Sequence, residues 1–363
     1  MKAFQLTGWQ QPPELREVPV PEPGPGQVLL KVGGAGACHS DLHLMEAPEG
    51  PKPYKFPFTL GHENAGWVEK VGPGVEGYSV GDPVLVYGPW GCGQCLNCRM
   101  GMENNCENIA DVRPGGLGSD GGMAPYLLVP STRHLIPLGK LDPRDAAPLT
   151  DAALTSYHAV KRSLHLLGPG STAVVIGVGG LGQMAVQLLR TLSGATTIIA
   201  VDTAADKLKT AREMGADETL LSGDDATKRI RDMTRGRGAG LVLDLVGIDP
   251  TLKMAAQVAR VLGHVTIVGL GGGALPVNFY NVPHECSVAS PYWGSITELM
   301  EVVSLAQAGK IKMLLEHFPL ERAAEAYHLL HDGKIAGRAV ITPNDESPPI
   351  RSPGTTVGDM TNG

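Results

Sequence analysis

The stretch after Ser171 constrains this chain more than any other feature. An apolar run, Thr172–Ile176, leads into Gly177-Val178-Gly179-Gly180-Leu181-Gly182, and a helical pattern follows from about Leu181 to Thr191. A second run, Thr197–Val201, ends at Asp202, and a helical stretch Ala205–Met214 precedes the run Glu218–Leu221. Further strands are expected at Leu241–Leu245 and His264–Val268. Apolar strands alternating with helices predict an α/β unit with a parallel, doubly wound sheet. Gly177, Gly179 and Gly182 occupy the G-x-G-x-x-G positions between strand and helix, where backbone N–H groups can approach a pyrophosphate at a helix N-terminus. Asp202 lies twenty residues beyond Gly182, the place for a carboxylate that accepts from ribose hydroxyls. A carboxylate there repels a 2′-phosphate and Thr203 adds no positive charge, so NAD is expected over NADP, although Lys207 is a basic neighbour. A glycine-rich turn in an ordinary βαβ unit is the bland alternative.

Residues 1–150 read differently. Short β runs at Gln27–Val32, Gly66–Val71 and Pro83–Tyr87 are broken by Pro23-Gly24-Pro25-Gly26 and Val80-Gly81-Asp82-Pro83, which predicts an antiparallel, barrel-like unit with little helix. An amphipathic helix around Ser295–Ala308 and a strand Gly337–Thr342 are expected to return to it. The polar, Pro- and Gly-rich end from Pro343 reads as a disordered tail, residues 343–363. The 363 residues therefore divide into two units. The first comprises 1–152 and 292–342, the second 153–291. The 48 glycines and 29 prolines fit many tight turns, and no G-x-y period suggests collagen.

A formal charge of −7 with no Lys/Arg block disfavours a nucleic-acid surface. The start Met1-Lys2-Ala3-Phe4-Gln5 lacks a signal-peptide pattern and no apolar run reaches membrane-spanning length, so a cytoplasmic location is expected. In a reducing compartment Cys92, Cys95, Cys98 and Cys106, all within fifteen residues, predict four thiolate ligands of a structural zinc. Free cysteines, two disulfides or an iron–sulfur cluster are the alternatives. Cys38-His39-Ser40-Asp41 and Gly61-His62-Glu63 are ambiguous taken singly, since a lone Cys or His is more often a core or surface residue.

Together these four motifs, in this order and spacing, resemble the zinc-containing alcohol dehydrogenases of the medium-chain dehydrogenase/reductase superfamily over about residues 1–342. The resemblance implies a GroES-like catalytic domain beside a Rossmann domain. It also implies a second, catalytic zinc held by Cys38, His62 and a third ligand just before the nucleotide-binding unit. Asp151 takes the place where many members carry Cys; a plain helix cap is the alternative for it. By the same resemblance Asp41 orients His62, Glu63 lies behind the metal, and Ser40 takes the alcohol proton and relays it towards His43. A plain surface histidine is the alternative for His43. His39 stands where some relatives carry an arginine beside the pyrophosphate, Arg338 aligns with another pyrophosphate-contacting arginine, Thr155 packs behind the nicotinamide, and Val268 joins the cofactor site.

By the same resemblance Tyr54, Trp90, Tyr292 and Trp293 shape the substrate cleft; core packing is the alternative for them. Their size favours medium-chain or aryl secondary alcohols over ethanol. Forty-four residues separate Cys106 from Asp151, which resembles the shorter, tetrameric bacterial class and implies a homotetramer. The implied activity is reversible, zinc-dependent alcohol oxidation with hydride transfer to NAD. The alternatives are a polyol or amino-alcohol dehydrogenase of the same superfamily, or a catalytically silent NAD- and zinc-binding redox sensor.

Overall fold

The computed structural model describes residues 1–49, 54–108 and 114–344. Its first framework is a seven-stranded sheet centred on Val28–Ala37, which pairs antiparallel with Glu63–Val71, Tyr126–Val129 and Arg338–Thr342. Pro83–Val86 and Leu135–Pro137 continue one side, and Leu315–Pro319 adds a parallel edge beyond Arg338–Thr342. A small sheet of Glu14–Glu17, Lys2–Leu6 and Phe58–Thr59 lies apart from it. The central strand is buried along almost its whole length because packing covers both of its faces. Its glycines are part of that packing. A Cβ on Gly36 would sit 1.8 Å from Glu63 Oε2, so the glycine leaves room for a buried carboxylate.

The second framework is a six-stranded sheet, parallel throughout, in the order Glu218–Leu221, Thr197–Asp202, Thr172–Ile176, Ala239–Asp244, Ala259–Ile267 and Ser287–Ala289. The chain runs outward from Thr172–Ile176 in one direction and then returns to the other side of it. That reversal opens a crevice at the carboxyl ends of the strands, where ligands bind in folds of this kind. The helix Gly180–Leu192 leaves this crevice and turns Met184, Ala185, Leu188 and Leu189 into the core.

Another helix, Ala152–Lys161, joins the two frameworks. Its Leu154, Tyr157 and Val160 share one apolar cluster with Val175 and Met184 of the parallel unit, with Leu85 and Ile136 of the first sheet, and with Leu299 and Val302 of Ile296–Gln307. Each side chain of this size, fully removed from water, contributes about 1.5–3 kcal/mol. Asp151 stands at the N-terminus of this helix and is therefore held where the two units meet.

The first unit departs from the expectation of little helix. The eight-residue helix His39–Glu46 follows the central strand directly and carries part of the site. The sequence reading also missed Leu315–Pro319 and the helix Ala323–His331, which complete the C-terminal return. The strand expected at His264–Val268 begins earlier, at Ala259. Of the expected tail, Pro343 and Asn344 are ordered, and the Asn344 amide donates to the Val32 and Pro125 carbonyls at 2.9 Å each. Residues 345–363 lie outside the described residues. Among the described residues no helix is long and apolar enough to cross a membrane.

Candidate active site and metal centres

Three elements converge on one point. Cys38 follows the central strand directly and caps His39–Glu46; His62 immediately precedes the neighbouring strand Glu63–Val71; and Asp151 heads the joining helix. Asp151 Oδ2 lies 3.6 Å from Cys38 Sγ and 3.5 Å from His62 Nε2, and the donor atoms of all three lie within 4.8 Å of one another. Asp151 occupies the N-cap position but its side chain makes no capping bond. Its Oδ1 instead accepts from the Thr155 hydroxyl at 2.8 Å.

The surroundings orient these donors. His62 Nδ1 lies 2.8 Å from Asp41 Oδ1, which leaves Nε2 directed at the cluster. Asp41 Oδ2 accepts from the Cys38 backbone N–H at 3.0 Å and from the Tyr327 hydroxyl at 2.8 Å. Burial works against a charged His62, yet Asp41, Asp151 and Cys38 outweigh it and hold its pKa well above the ordinary value. One thiol, one imidazole and one carboxylate converging within 4.8 Å and opening into a cleft are the donor set of a zinc site that keeps an open position, so these residues fit that metal.

Glu63 is fully buried and engages Arg338 through both of its oxygens, with Arg338 Nε 2.9 Å from Glu63 Oε2. Arg338 Nη2 also reaches Asp151 Oδ2 at 3.3 Å. Burial raises the Glu63 carboxyl to about 7 although Arg338 opposes the shift. The Arg338 guanidinium is only 4% exposed and is committed to these two carboxylates, but its other side reaches the glycine loop, where a Cβ on Gly180 would lie 3.5 Å from Nη1.

The segment Tyr292–Gly294 is clamped over the cluster. The Asn104 amide donates to the Tyr292 carbonyl at 2.8 Å, the Trp293 indole N–H to the Thr150 carbonyl at 2.7 Å, and the Tyr87 hydroxyl to the Gly294 carbonyl at 2.6 Å. Trp293 meets the His62 ring edge-on at 5.6 Å and holds a left-handed backbone, φ +54°. That conformation is costly for a bulky residue and is characteristic of functional sites.

The second cluster lies in its own lobe. Cys92, Cys95, Cys98 and Cys106 bring four Sγ atoms within 4.8 Å of one another and form no disulfide. Backbone N–H groups of Gln94 and Cys95 point at Cys92 Sγ from 3.5 and 3.4 Å and draw this thiol down to about 6. Burial pushes Cys98 up to about 12, so the thiolate form there needs a cation. Four sulfurs with preformed N–H donors suit a closed tetrahedral zinc.

Between the two frameworks lies a cleft of about 720 Å³ into which Cys38, His62 and Asp151 open. Gly177, Gly179, Gly180, Leu181 and Gly182 line it, as do Thr155, Asp202, Lys207, Val268 and Arg338. The close approach at Gly182 is specific, since a Cβ would lie 2.0 Å from the Gly177 carbonyl oxygen. Asp202 accepts from the Val178 N–H at 2.7 Å and the Ala204 N–H at 3.0 Å, so the carboxylate also braces the loop. Burial lowers the pKa of His39, and Arg338, His43 and Lys207 lower it further. Arg338 and Lys207 mark a corner suited to an anionic group.

Ser40 and His43 face the same cleft, and Ser40 Oγ lies 3.5 Å from Cys38 Sγ. Of the four expected substrate aromatics, Tyr54, Tyr292 and Trp293 line the cleft. Trp90 does not: it stacks on His134 at 5.9 Å and donates its indole N–H to the Tyr87 carbonyl, because it belongs to the base of the cysteine lobe. The sequence reading missed Tyr327 and the pairing of Glu63 with Arg338, and no local pattern signals either.

Residues 24–140 match the alcohol dehydrogenase GroES-like domain and residues 180–308 the zinc-binding dehydrogenase domain. An NAD-dependent alcohol dehydrogenase of Sulfurisphaera tokodaii is 40% identical, covering 94% of this chain and 100% of its own. A D-arabinose 1-dehydrogenase (NADP(+)) of Saccharolobus solfataricus is 35% identical, covering 94% and 97%. The crystal structure of the alcohol dehydrogenase from Aeropyrum pernix superposes with a TM-score of 0.87 at 36% identity, covering 94% and 100%. With both family domains matched, a 40% identical relative covering 94% of the chain and both metal-ligand sets assembled, the chain belongs to the zinc-containing alcohol dehydrogenases of the medium-chain superfamily.

Proposed function

We propose that the protein oxidises medium-chain or aryl secondary alcohols to ketones, reversibly and with NAD as partner. The observation that carries this reading is the opening of Cys38, His62 and Asp151 into the same cleft as the Gly177–Gly182 loop. Zinc at the first cluster supplies the Lewis acidity that makes a hydroxyl acidic near neutral pH, and the nicotinamide supplies the hydride acceptor.

The remaining work falls to the chain itself. Cys38, His62 and Asp151 hold the metal, with Asp41 fixing the imidazole from behind. Ser40 takes the proton from the substrate hydroxyl, and His43, one turn further along the same helix and on the same wall, is the acceptor towards which it moves. Glu63 stays paired with Arg338 beneath the metal. Asp202 selects an unphosphorylated ribose, Lys207 and Arg338 supply positive charge for the pyrophosphate, and His39 faces the same corner as a largely uncharged ring. Thr155 and Val268 pack against the nicotinamide end. Tyr54, Tyr292 and Trp293 with Leu44 and Leu117 give the cleft apolar walls, and burial between the domains excludes water from the reaction. The four-cysteine lobe holds a structural zinc. We further propose a cytoplasmic homotetramer.

The test is the initial rate of NADH formation by zinc-replete protein at saturating NAD. 1-Phenylethanol and 2-octanol should be clearly preferred to ethanol and sorbitol. Turnover confined to sorbitol would overturn the apolar-substrate reading, and silence on all four with two zincs bound would overturn the activity itself.

A further inference from the structure

Asp41 has a partner that this mechanism does not use. Its carboxylate is completely buried, and water cannot reach it. Oδ1 is taken up by His62 Nδ1, while Oδ2 receives both the Cys38 backbone N–H and the Tyr327 hydroxyl. A carboxylate offers about four acceptor sites, and in a dry interior every donor it engages helps to fix its orientation. One group thus ties together two of the three metal-binding residues, and Tyr327 is the only side chain besides His62 recorded as bonded to it among the described residues.

Tyr327 is itself held firmly. It projects from the helix Ala323–His331, is 4% exposed, and stacks on Phe4 at 6.1 Å with the rings 16° apart. Its oxygen also lies 3.6 Å from Met123 Sδ. Sulfur is a weak acceptor, so the single hydroxyl proton goes to the carboxylate. A rigid donor, 286 residues away in sequence, therefore sets the tilt of the group that aims His62.

We propose that Tyr327 is a positioning residue for the catalytic metal: its hydroxyl locks Asp41 in the orientation that holds His62 Nδ1 and the Cys38 backbone together. The inference rests on the reading of Cys38, His62 and Asp151 as zinc ligands. The decisive variant is Tyr327→Phe, which keeps the stacked ring and removes only the donor.

Zinc-loaded full-length protein is mixed with a chromophoric chelator and the release of its two metals is followed. In Y327F one metal should leave about tenfold faster, as for other losses of an outer partner of a metal ligand, while release of the metal in the four-cysteine lobe stays unchanged. Cobalt(II) placed in the catalytic site should show shifted d–d bands in the variant. In an Asp41→Ala background the same Tyr327→Phe change should alter neither readout, because the tyrosine acts through Asp41. Wild-type release and spectrum in Y327F would overturn the proposal, as would an equal acceleration in the Asp41→Ala background or a Y327F chain that does not fold. Wild-type protein that binds only one zinc would overturn both this inference and the ligand reading beneath it.

Discussion

Asp151→Asn separates the two roles that the position of Asp151 allows. Were this residue simply a helix cap, the change would be almost silent, because Asn and Asp are equally good caps and the cost would stay within about 0.5 kcal/mol. The geometry argues otherwise. No backbone N–H of the helix is bonded to the side chain, whose Oδ2 faces Cys38 Sγ at 3.6 Å and His62 Nε2 at 3.5 Å. An amide has the same shape but no charge, so the fold should survive while the metal site fails. Losing even an outer partner of a ligand costs 10–100-fold in metal affinity. Removing an anionic ligand should then cost at least about 100-fold, which is roughly 2.7 kcal/mol. The lost contact with Arg338 is a smaller matter, since that guanidinium keeps both oxygens of Glu63. The assay is metal content after dialysis against a weak chelator, together with kcat/KM and the thermal midpoint. The expected result is one zinc per chain instead of two, loss of kcat/KM by more than about 100-fold, and a nearly unchanged midpoint for metal-free protein. Two retained zincs with near wild-type turnover would refute the ligand role.

Other consequences are equally direct. Gly182→Ala puts a Cβ 2.0 Å from a backbone oxygen that no rotamer change can move, so the start of the helix must shift; NADH affinity, followed by fluorescence titration, should fall at least about tenfold, and an unchanged Kd would show the loop to be uninvolved. Glu298 Oε2 accepts from the Ser295 N–H at 2.9 Å and lies 2.8 Å from His158 Nδ1, so Glu298→Gln should cost about 1–2 kcal/mol in urea unfolding at pH 7. These contacts, with Lys161, outweigh burial and depress the Glu298 pKa below its ordinary 4.5. Its contribution is therefore complete above pH 4.5 and is lost as pH falls through the folded value. The gap between wild type and variant should close on acidification, and a gap that widens would contradict the sign.

Much of this molecule is readable in the sequence because the information is local. Thr172–Ile176 and Glu218–Leu221 form where hydrophobic run and turn chemistry place them, and Gly182 announces itself by position because only a residue without Cβ fits there. The cysteine lobe is legible for the same reason: four ligands within fifteen residues share one loop. The residues that failed were those whose roles depend on where other segments pass. Trp90 follows the first sheet and precedes the lobe, and nothing within several residues says that His134 will stack on it and turn it from the cleft. Tyr327, and the pairing of the expected Arg338 with Glu63, depend on the C-terminal return, whose edge strand and helix gave no clear period.

The catalytic cluster combines both kinds of information. Cys38, His62 and Asp151 are each visible as residue types, but their convergence depends on three long-range joins: the pairing of the central strand with Glu63–Val71, the seating of the joining helix on both frameworks, and the clamp on Tyr292–Gly294. The clamp shows how these joins differ from ordinary packing. The Trp293 indole bonds the carbonyl of Thr150, the residue immediately before a metal ligand, while its ring edge braces the histidine ligand. Its φ of +54° is a conformation that a tryptophan adopts only when its surroundings compel it, at about 1–3 kcal/mol. Three hydrogen bonds, from Asn104, Tyr87 and Trp293 itself, the last two fully buried and each worth about 0.5–1.5 kcal/mol net, are enough to offset that cost. Asn104 lies between Cys98 and Cys106, so one of the three bonds comes from the lobe that folds around the structural metal. Stability gathered in a site that does no chemistry is thereby transmitted to the one that does, and a lobe thirty or more residues from any catalytic ligand in sequence has a physical reason to keep its metal.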